Sequence, residues 1–323
     1  MADNPAQRAD DNKKSAASNF LNMMTQRVFE RIIRGNIRYE KDQRELERYR
    51  QQAKKLDDIY VEGSIINALA VLNSIAGRIE AGFAFFAENY ARFEQANKVD
   101  GMALTLMNQG FGRMIQTRHE EALALYDQGI DLLEQCEEGP LTYAHRYGHL
   151  LGNKLETLVA MNRYEEASAL YEKIQSISQV YVEATRTNYA RSMVDVHTSM
   201  VEVEMQQGHF EQANTHLDTA LKLANDLGLS FELAHAYFLG RLLALEEQDE
   251  ERANAYIEEA SRQLASVEEM PYTGRLYLTE ARRLAKFNYT QYAIELAQKA
   301  LHVFRKNDMP EDIALTEAFL GHL

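Results

Sequence analysis

The chain has 323 residues, of which 46% are hydrophobic and 26% are charged, and this composition is typical of a globular protein with a substantial core. Its 4 prolines and 16 glycines argue against collagen-like, disordered and turn-rich all-β chains, and its single cysteine, Cys136, excludes an intramolecular disulfide. A formal net charge of −14 disfavours a surface that binds duplex nucleic acid, unless the basic residues are concentrated in one segment.

The N-terminal segment is where basic residues concentrate. Residues 1–19 are polar, predict a disordered leader and lack the basic and apolar stretches of a secretory signal. Residues 20–56 predict one basic amphipathic helix, with an apolar stripe that begins at Leu21. Residues 27–55 carry ten basic and five acidic side chains, which gives +5 there against −19 for residues 56–323. The arginines that could contact an anionic partner are Arg31, Arg34, Arg38, Arg44 and Arg48.

Three interpretations of this basic helix remain open. Its apolar stripe can simply pack on the next helices while the charges face solvent. Its arginines can contact phosphates or anionic lipid, so nucleic acid or a membrane would be reached only through residues 27–55. It can also dock on an acidic face of its own chain or of another copy. The most apolar stretch of the whole sequence, 65–76, is too short to span a bilayer, and a cytoplasmic location is expected.

A repeat occupies most of the remaining chain. Five segments share an alanine, and in four of them a large apolar residue follows four positions later. Two residues at this spacing lie on one face of a helix. A polar residue or glycine stands five residues before each alanine, as expected for the turn between two antiparallel helices. A weaker sixth copy begins at Ala81, with Phe85. The alanines of the five clear copies lie 40 to 46 residues apart, at Ala122, Ala167, Ala213, Ala253 and Ala293.

The repeat predicts a domain of antiparallel helix pairs over residues 57–309. Prolines at 140, 271 and 310 fall between pairs, where they interrupt no helix. Residues 310–323 predict a capping helix, with Ile313, Phe319, Leu320 and Leu323 on its apolar side. The predicted pairs are 59–97, 100–137, 141–178, 181–227, 229–268 and 272–307.

Two stretches, 162–171 and 208–213, resemble the tetratricopeptide repeat. In the first, Asn162, Tyr164, Ala167 and Tyr171 match the opening of that repeat's second helix, and the resemblance covers residues 100–307 well and 59–97 weakly. The period exceeds the family's 34 residues and the chain has no tryptophan. The longer period resembles the helical sensor or adaptor domains of bacterial regulators, such as the maltose-operon activator and the quorum-peptide-binding phosphatase regulators.

The resemblance implies an all-α fold. The implied fold is an α-solenoid in which antiparallel helix pairs form a right-handed superhelix, and the basic helix precedes it at the N-terminus. The resemblance also implies a groove lined by the first helix of each pair. Chaperone adaptors of this family hold a C-terminal carboxylate with Lys and Asn on successive first helices, and this clamp is not matched here. By register, the implied groove residues are Phe111, Met114, Glu156, Thr198, Glu202, Gln206, Phe238, Leu242, Arg282 and Lys286.

No catalytic arrangement emerges from the motifs. The chain has no Gly-x-Gly-x-x-Gly, phosphate-loop or Gly-x-Ser-x-Gly pattern. His145 and His149 share a helix face at the spacing of two metal ligands, but no third ligand accompanies them. The paired acids stand at helix starts, where solvent and the helix dipole favour them. The sequence therefore predicts a protein that is not an enzyme and needs no cofactor or metal.

Two functions follow as hypotheses. The first is a non-catalytic scaffold or adaptor that binds a peptide or protein segment in the groove. The alternative is a regulatory sensor subunit that binds a small effector and signals through the basic N-terminal helix.

Overall fold

The computed structural model describes residues 5–33, 38–184, 186–265 and 270–323, and these residues form fifteen α-helices and one 3₁₀ turn, Pro140–Tyr143. The side chains of residues 5–12, 33, 141, 178–184 and 186–191 are not described. The helices are α1 Pro5–Ile33, α2 Tyr39–Ala53, α3 Ile59–Ile75, α4 Ile79–Gln95, α5 Val99–Ile115, α6 His119–Gln135, α7 Ala144–Ala160, α8 Tyr164–Ala184, α9 Arg186–Gln206, α10 Phe210–Leu227, α11 Ser230–Glu246, α12 Glu250–Leu264, α13 Pro271–Lys286, α14 Thr290–Lys306 and α15 Pro310–His322.

The helices fall into two compact units, residues 1–109 and 110–323, and the boundary lies within α5. In the first unit, α1 and α2 pack on α3. Leu21, Val28 and Ile32 of the predicted apolar stripe are almost fully buried, in one cluster with Leu46 and Leu69. The removal of these aliphatic side chains from water stabilises the packing of α1 and α2 on α3.

The N-terminal segment differs from its prediction in two ways. The helix α1 begins at Pro5, so most of the predicted leader is helical, and proline suits the first turn of a helix. The predicted single helix over 20–56 is two helices, α1 and α2, and residues 34–37 between them lie outside the described residues. Asp42 joins the two helices, because its buried carboxylate accepts from Arg31 and from the backbone N–H of Arg38.

The six predicted helix pairs are present, from α3 and α4 to α13 and α14. The polar or glycine residue predicted at each turn has a positive φ, from 59° at Thr117 to 76° at Gly208. The following residue donates its backbone N–H to the carbonyl five residues earlier. Arg163 donates to Leu158 at 2.9 Å and Tyr289 donates to Leu284 at 2.9 Å, for example. This 6→1 hydrogen bond closes the helix end and reverses the chain.

The repeated alanines lie where the helices of a pair meet. Ala122, Ala167, Ala213 and Ala293 are fully buried, and Ala253 is 2% exposed. The weaker sixth copy is wrong by one residue: Ala81 is exposed, whereas Gly82 is buried. Phe86, four residues after Gly82, takes the place predicted for Phe85. A glycine fulfils the same condition as the alanines, since a methyl group on Gly82 would meet the Ala70 carbonyl oxygen at 2.7 Å.

The C-terminal helix α15 packs its Ile313, Phe319 and Leu320 against the apolar core of residues 110–323, while Leu323 is 40% exposed. Asp312 of the same helix is buried and paired with Arg275 of α13. Among the described helices, none combines the length and the apolarity that crossing a lipid bilayer requires.

Candidate functional site

A cavity of about 390 Å³ opens between the helices of residues 110–323, and this volume lies in the range of ligand pockets. Its wall is formed by the first helix of four pairs, namely α5, α7, α9 and α13. The start of α6 and the capping helix α15 complete the wall. Its charged lining residues are Glu156, Glu202, Arg275, Arg282, Arg283, Lys286 and Asp312, and His119 lies beside them.

A buried ionic network forms one wall of the cavity. Glu202 of α9 accepts from Arg283 and Lys286 of α13, although 81 and 84 residues separate them in the sequence. Arg283 also donates to Glu280 at 2.6 Å and lies 3.2 Å from Nε2 of His235 on α11. The network therefore links α9, α11 and α13.

The network controls the charge of its acids and its histidine. Burial acts to raise the pKa of Glu202, but Arg283 and Lys286 outweigh it and hold that pKa below its usual value. Burial raises the pKa of Glu280 despite the same arginine. Burial and the charge of Arg283 lower the pKa of His235 to about 3, so this imidazole is neutral at pH 7.

Four cations of α13 line the cavity, and three of them have carboxylate partners. Arg275 forms a bidentate pair with Asp312 of α15, at 3.2 and 3.3 Å. Arg283 and Lys286 belong to the network around Glu202. Arg282 makes no hydrogen bond or ion pair with any residue that the structure describes, and burial lowers its pKa. Its guanidinium is therefore available to a ligand.

Two further groups of the lining lack a hydrogen-bond partner among the residues that the structure describes. The carboxyl group of Glu156 makes no hydrogen bond or ion pair within the described part of the chain, and burial raises its pKa. The Nδ1 atom of His119 is buried and has no hydrogen-bond partner there either. Burial and the charge of Arg282 lower the pKa of His119. Each unsatisfied polar group favours a ligand that supplies the missing partner.

Five of the ten predicted groove residues line this cavity: Met114, Glu156, Glu202, Arg282 and Lys286. The remaining five do not line it. Phe111 is partly buried, and Gln206 is exposed at the end of α9. The hydroxyl of Thr198 is buried and donates to the carbonyl of Val194 at 3.0 Å. The prediction that Phe238 and Leu242 line a groove is wrong. They are 4% and 1% exposed and belong to the core between α11 and its neighbours.

The alignment to the first helix of each repeat did not identify two kinds of residue that line the cavity. His119 stands at the first position of a second helix, which the groove rule excludes. Asp312 and Leu315 come from the capping helix, which lies outside the repeats. The sequence signal for Arg275 and Arg283 was their place on the same helix as Arg282 and Lys286, but the register named only two positions of that helix.

Three of the five N-terminal arginines predicted to contact an anionic partner are exposed in the structure. Arg34 lies outside the described residues, and Arg31 pairs with the buried Asp42. The other three are exposed. An open hollow of about 470 Å³ lies over α2 and is lined by Arg31, Lys41, Arg44, Glu45 and Arg48.

Two histidines of neighbouring helices meet in the structure. Nδ1 of His197 on α9 lies 2.8 Å from Nδ1 of His216 on α10, with the ring of Tyr171 packed against both. Burial lowers the pKa of His197 to about 4, and the charge of His216 contributes. Among the described residues, no group of three His, Cys, Asp or Glu side chains could hold a metal ion.

No protein-family model and no curated protein matches the sequence. A Rap protein complexed with Competence and Sporulation Factor superposes with a TM-score of 0.61 at 13% identity, over 94% of this chain and 80% of that one. The apo form of the quorum sensor NprR from B. thuringiensis gives 0.57 at 12% identity, over 98% of both chains. Aspartyl phosphate phosphatase F from Bacillus subtilis gives 0.52 at 10% identity, over 84% of this chain and 72% of that one.

The fold is that of tetratricopeptide-like helical-repeat proteins. The predicted fold class, an all-α solenoid of antiparallel helix pairs, is therefore confirmed. At sequence identities of 10 to 13%, the similarity of this chain to those structures is one of fold alone.

Proposed function

We propose that this protein is a non-catalytic adaptor or regulator. It binds a peptide, or an extended segment of a partner protein, in the cavity of residues 110–323. The observation that carries the proposal is that three polar side chains of this cavity, Arg282, His119 and Glu156, form no ion pair or side-chain hydrogen bond with the residues that the structure describes and lie on helices of different repeats. An extended segment can reach such separated groups with its backbone and side chains, as peptides do on repeat surfaces.

The neighbours by fold support this proposal. One of them is a Rap protein complexed with Competence and Sporulation Factor, and another is a quorum sensor. This fold therefore occurs in a protein that forms a complex with a second molecule and in a sensor, and we extend partner binding to the present chain.

The lining of the cavity also favours binding over catalysis. Its hydroxyl groups belong to Thr117, Ser199 and Thr279, and none of these is hydrogen-bonded to a histidine or carboxylate within the described residues. A hydroxyl nucleophile needs such a base within hydrogen-bond reach. The charged groups of the network are instead committed to one another.

A peptide selection tests the proposal. A random heptapeptide library is selected on the immobilised full-length protein, and the affinities of the enriched peptides are measured by fluorescence anisotropy. Ala160 is exposed at the end of α7 and lines the cavity, so Ala160→Trp fills part of it. Ala124 is exposed on α6 and does not line the cavity, so Ala124→Trp is the matched control.

We expect Ala160→Trp to weaken binding tenfold or more, because its indole occupies the space of the ligand, and Ala124→Trp to leave binding within twofold of the wild type. Two results contradict the proposal. One is a selection without enrichment over an unrelated protein, and the other is a set of peptides that bind Ala160→Trp as tightly as the wild type.

The second candidate function is a sensor for a small effector, with the N-terminal basic helices as its output. The volume of about 390 Å³ favours it, because cavities of this size hold small molecules. A thermal-shift screen with small zwitterions and organic acids tests it. We expect a compound that raises the melting temperature of the wild type but not of Ala160→Trp, since a ligand of the native state stabilises that state. A screen without stabilisation counts against this function.

A further inference from the structure

We propose that Arg282 and His119 form the subsite of this cavity that receives a carboxylate of the bound peptide. The inference rests on the proposed function, and it names the chemistry that the partner must carry. The carboxylate can belong to an acidic side chain or to the C-terminus of the peptide, and the experiment below separates these two sources.

The cations on α13 are paired unequally. Arg275, Arg282 and Lys286 are spaced by seven and four residues, so they lie along one face of the helix toward the cavity. Both oxygens of Asp312 are bound by Arg275, and both oxygens of Glu202 are bound by Arg283 and Lys286. The row therefore presents one guanidinium without a carboxylate partner among the described residues, and it is that of Arg282.

His119 lies beside Arg282. Its side chain lines the same cavity, and the two side chains are close enough for the arginine charge to lower the pKa of His119. A neutral imidazole has one N–H donor and one acceptor nitrogen. A carboxylate held by Arg282 can therefore accept this N–H as well.

The acids of the lining already occupy the other cations. Glu202 binds Arg283 and Lys286, and Asp312 binds Arg275. Asp312 is also the acidic neighbour that acts on Arg282, but its charge is balanced by its bidentate pair with Arg275. A carboxylate that enters the cavity therefore finds its open cation at Arg282.

The chemistry of the pair fits a carboxylate. Guanidinium and carboxylate groups form bidentate, charge-assisted hydrogen bonds, which are stronger than neutral ones. Partial burial strengthens them further, because the surrounding dielectric is lower than that of water. Replacement of Arg282 by glutamine keeps a hydrogen-bond donor but removes the charge and the fork, so it isolates this contribution.

The test uses the full-length protein and the tightest peptide from the selection described above. Four forms of that peptide are compared. One has a free C-terminus, one has an amidated C-terminus, one has each Asp and Glu replaced by Asn and Gln, and one combines both changes. Each form is titrated by calorimetry into the wild type, Arg282→Gln and Arg262→Gln. Arg262 is 66% exposed on α12 and outside the cavity, so it is the matched control.

We expect the wild type and Arg262→Gln to bind a carboxylate-bearing form at least tenfold more tightly than the form without carboxylates. We expect Arg282→Gln to lose that preference while its circular dichroism and melting temperature stay near those of the wild type. The amidated and the Asn/Gln forms then identify which carboxylate binds.

A second readout is the pKa of His119, measured by NMR with and without peptide. We expect the bound carboxylate to raise this pKa, because a neighbouring anion favours the imidazolium. The inference is overturned if the peptide binds the wild type equally well without any carboxylate, or if Arg282→Gln keeps the full preference. In both cases peptide binding blocked by Ala160→Trp would leave the proposed function standing. A selection without enrichment would instead remove both.

Discussion

Arg283 is the central cation of the buried network, and Arg283→Met tests how far this network stabilises residues 110–323. Its two acidic partners, Glu202 and Glu280, are each 3% exposed, and Arg283 itself is 11% exposed. Methionine keeps most of the volume of the side chain but leaves these carboxylates without their main donor. Removal of one member of a buried ion pair costs about 3–5 kcal/mol, whereas an exposed pair contributes about 0–1 kcal/mol.

We therefore expect Arg283→Met to lower the free energy of unfolding by about 3–5 kcal/mol at pH 7. Urea denaturation followed by circular dichroism at 222 nm measures this difference. The exposed Arg262 pairs with Glu259 in a comparable i, i+3 geometry, and Arg262→Met is expected to cost at most about 1 kcal/mol. Equal losses in Arg283→Met and Arg262→Met at pH 7 would refute the argument.

The pH dependence of the same variant gives an independent check. Burial already raises the pKa of Glu280, and Arg283 opposes this effect. Without the arginine, the folded variant holds a proton on Glu280 that the unfolded chain binds only at lower pH. The folded state then binds more protons, so its stability increases as the pH falls. We expect the deficit of Arg283→Met to shrink between pH 7 and pH 5, and a constant or growing deficit would contradict this account.

Two further predictions concern the packing between repeats and the histidine pair. A methyl group on Gly110 would lie 2.7 Å from Cδ1 of Tyr126, which is fully buried, so we expect Gly110→Ala to cost about 1–3 kcal/mol in urea denaturation. Gly321→Ala, which meets nothing within 4 Å, is expected to be neutral or slightly stabilising, and an equal cost at both positions would argue against overpacking. The pKa of His197 is lowered to about 4, so the unfolded chain binds a proton that the folded chain excludes, and stability falls as the pH drops from about 6.5 to 4, by roughly 1.4 kcal/mol per pH unit at most. His197→Gln should flatten this part of the stability profile measured by thermal denaturation, and an unchanged slope would show that the titration of the buried His197 does not control it.

The helix pairs could be predicted from the sequence because their determinants are local. The alanine at Ala213 and the large residue four positions later face the same neighbour through helical periodicity alone. The turn residue Gly208 ends the preceding helix because its left-handed backbone conformation is readily accessible to glycine. Where the copy is weak, the same reasoning failed by one residue, since Gly82 rather than Ala81 provides the close contact.

The apolar positions of α11 show a second limit of local reasoning. Phe238 and Leu242 stand on a first helix, as groove residues should, but this helix has apolar neighbours on almost every side. A helix that is buried on nearly all sides has no polar stripe, so the sequence does not indicate which of its faces lies toward a groove. Their burial depends on how many helices surround α11, and this number is a property of the packed repeats.

The sequence by itself determined the helix pairs, the turns between them and the charge asymmetry between the N-terminal segment and the rest. Only the tertiary structure decided which charges are satisfied. Glu202 meets Arg283 across 81 residues, and Asp312 of the capping helix forms its bidentate pair with Arg275 rather than with Arg282 of the same helix. Helical periodicity repeats every three to four residues and reports which face a side chain occupies, but the partner on that face depends on the packing of repeats that are not adjacent in the sequence.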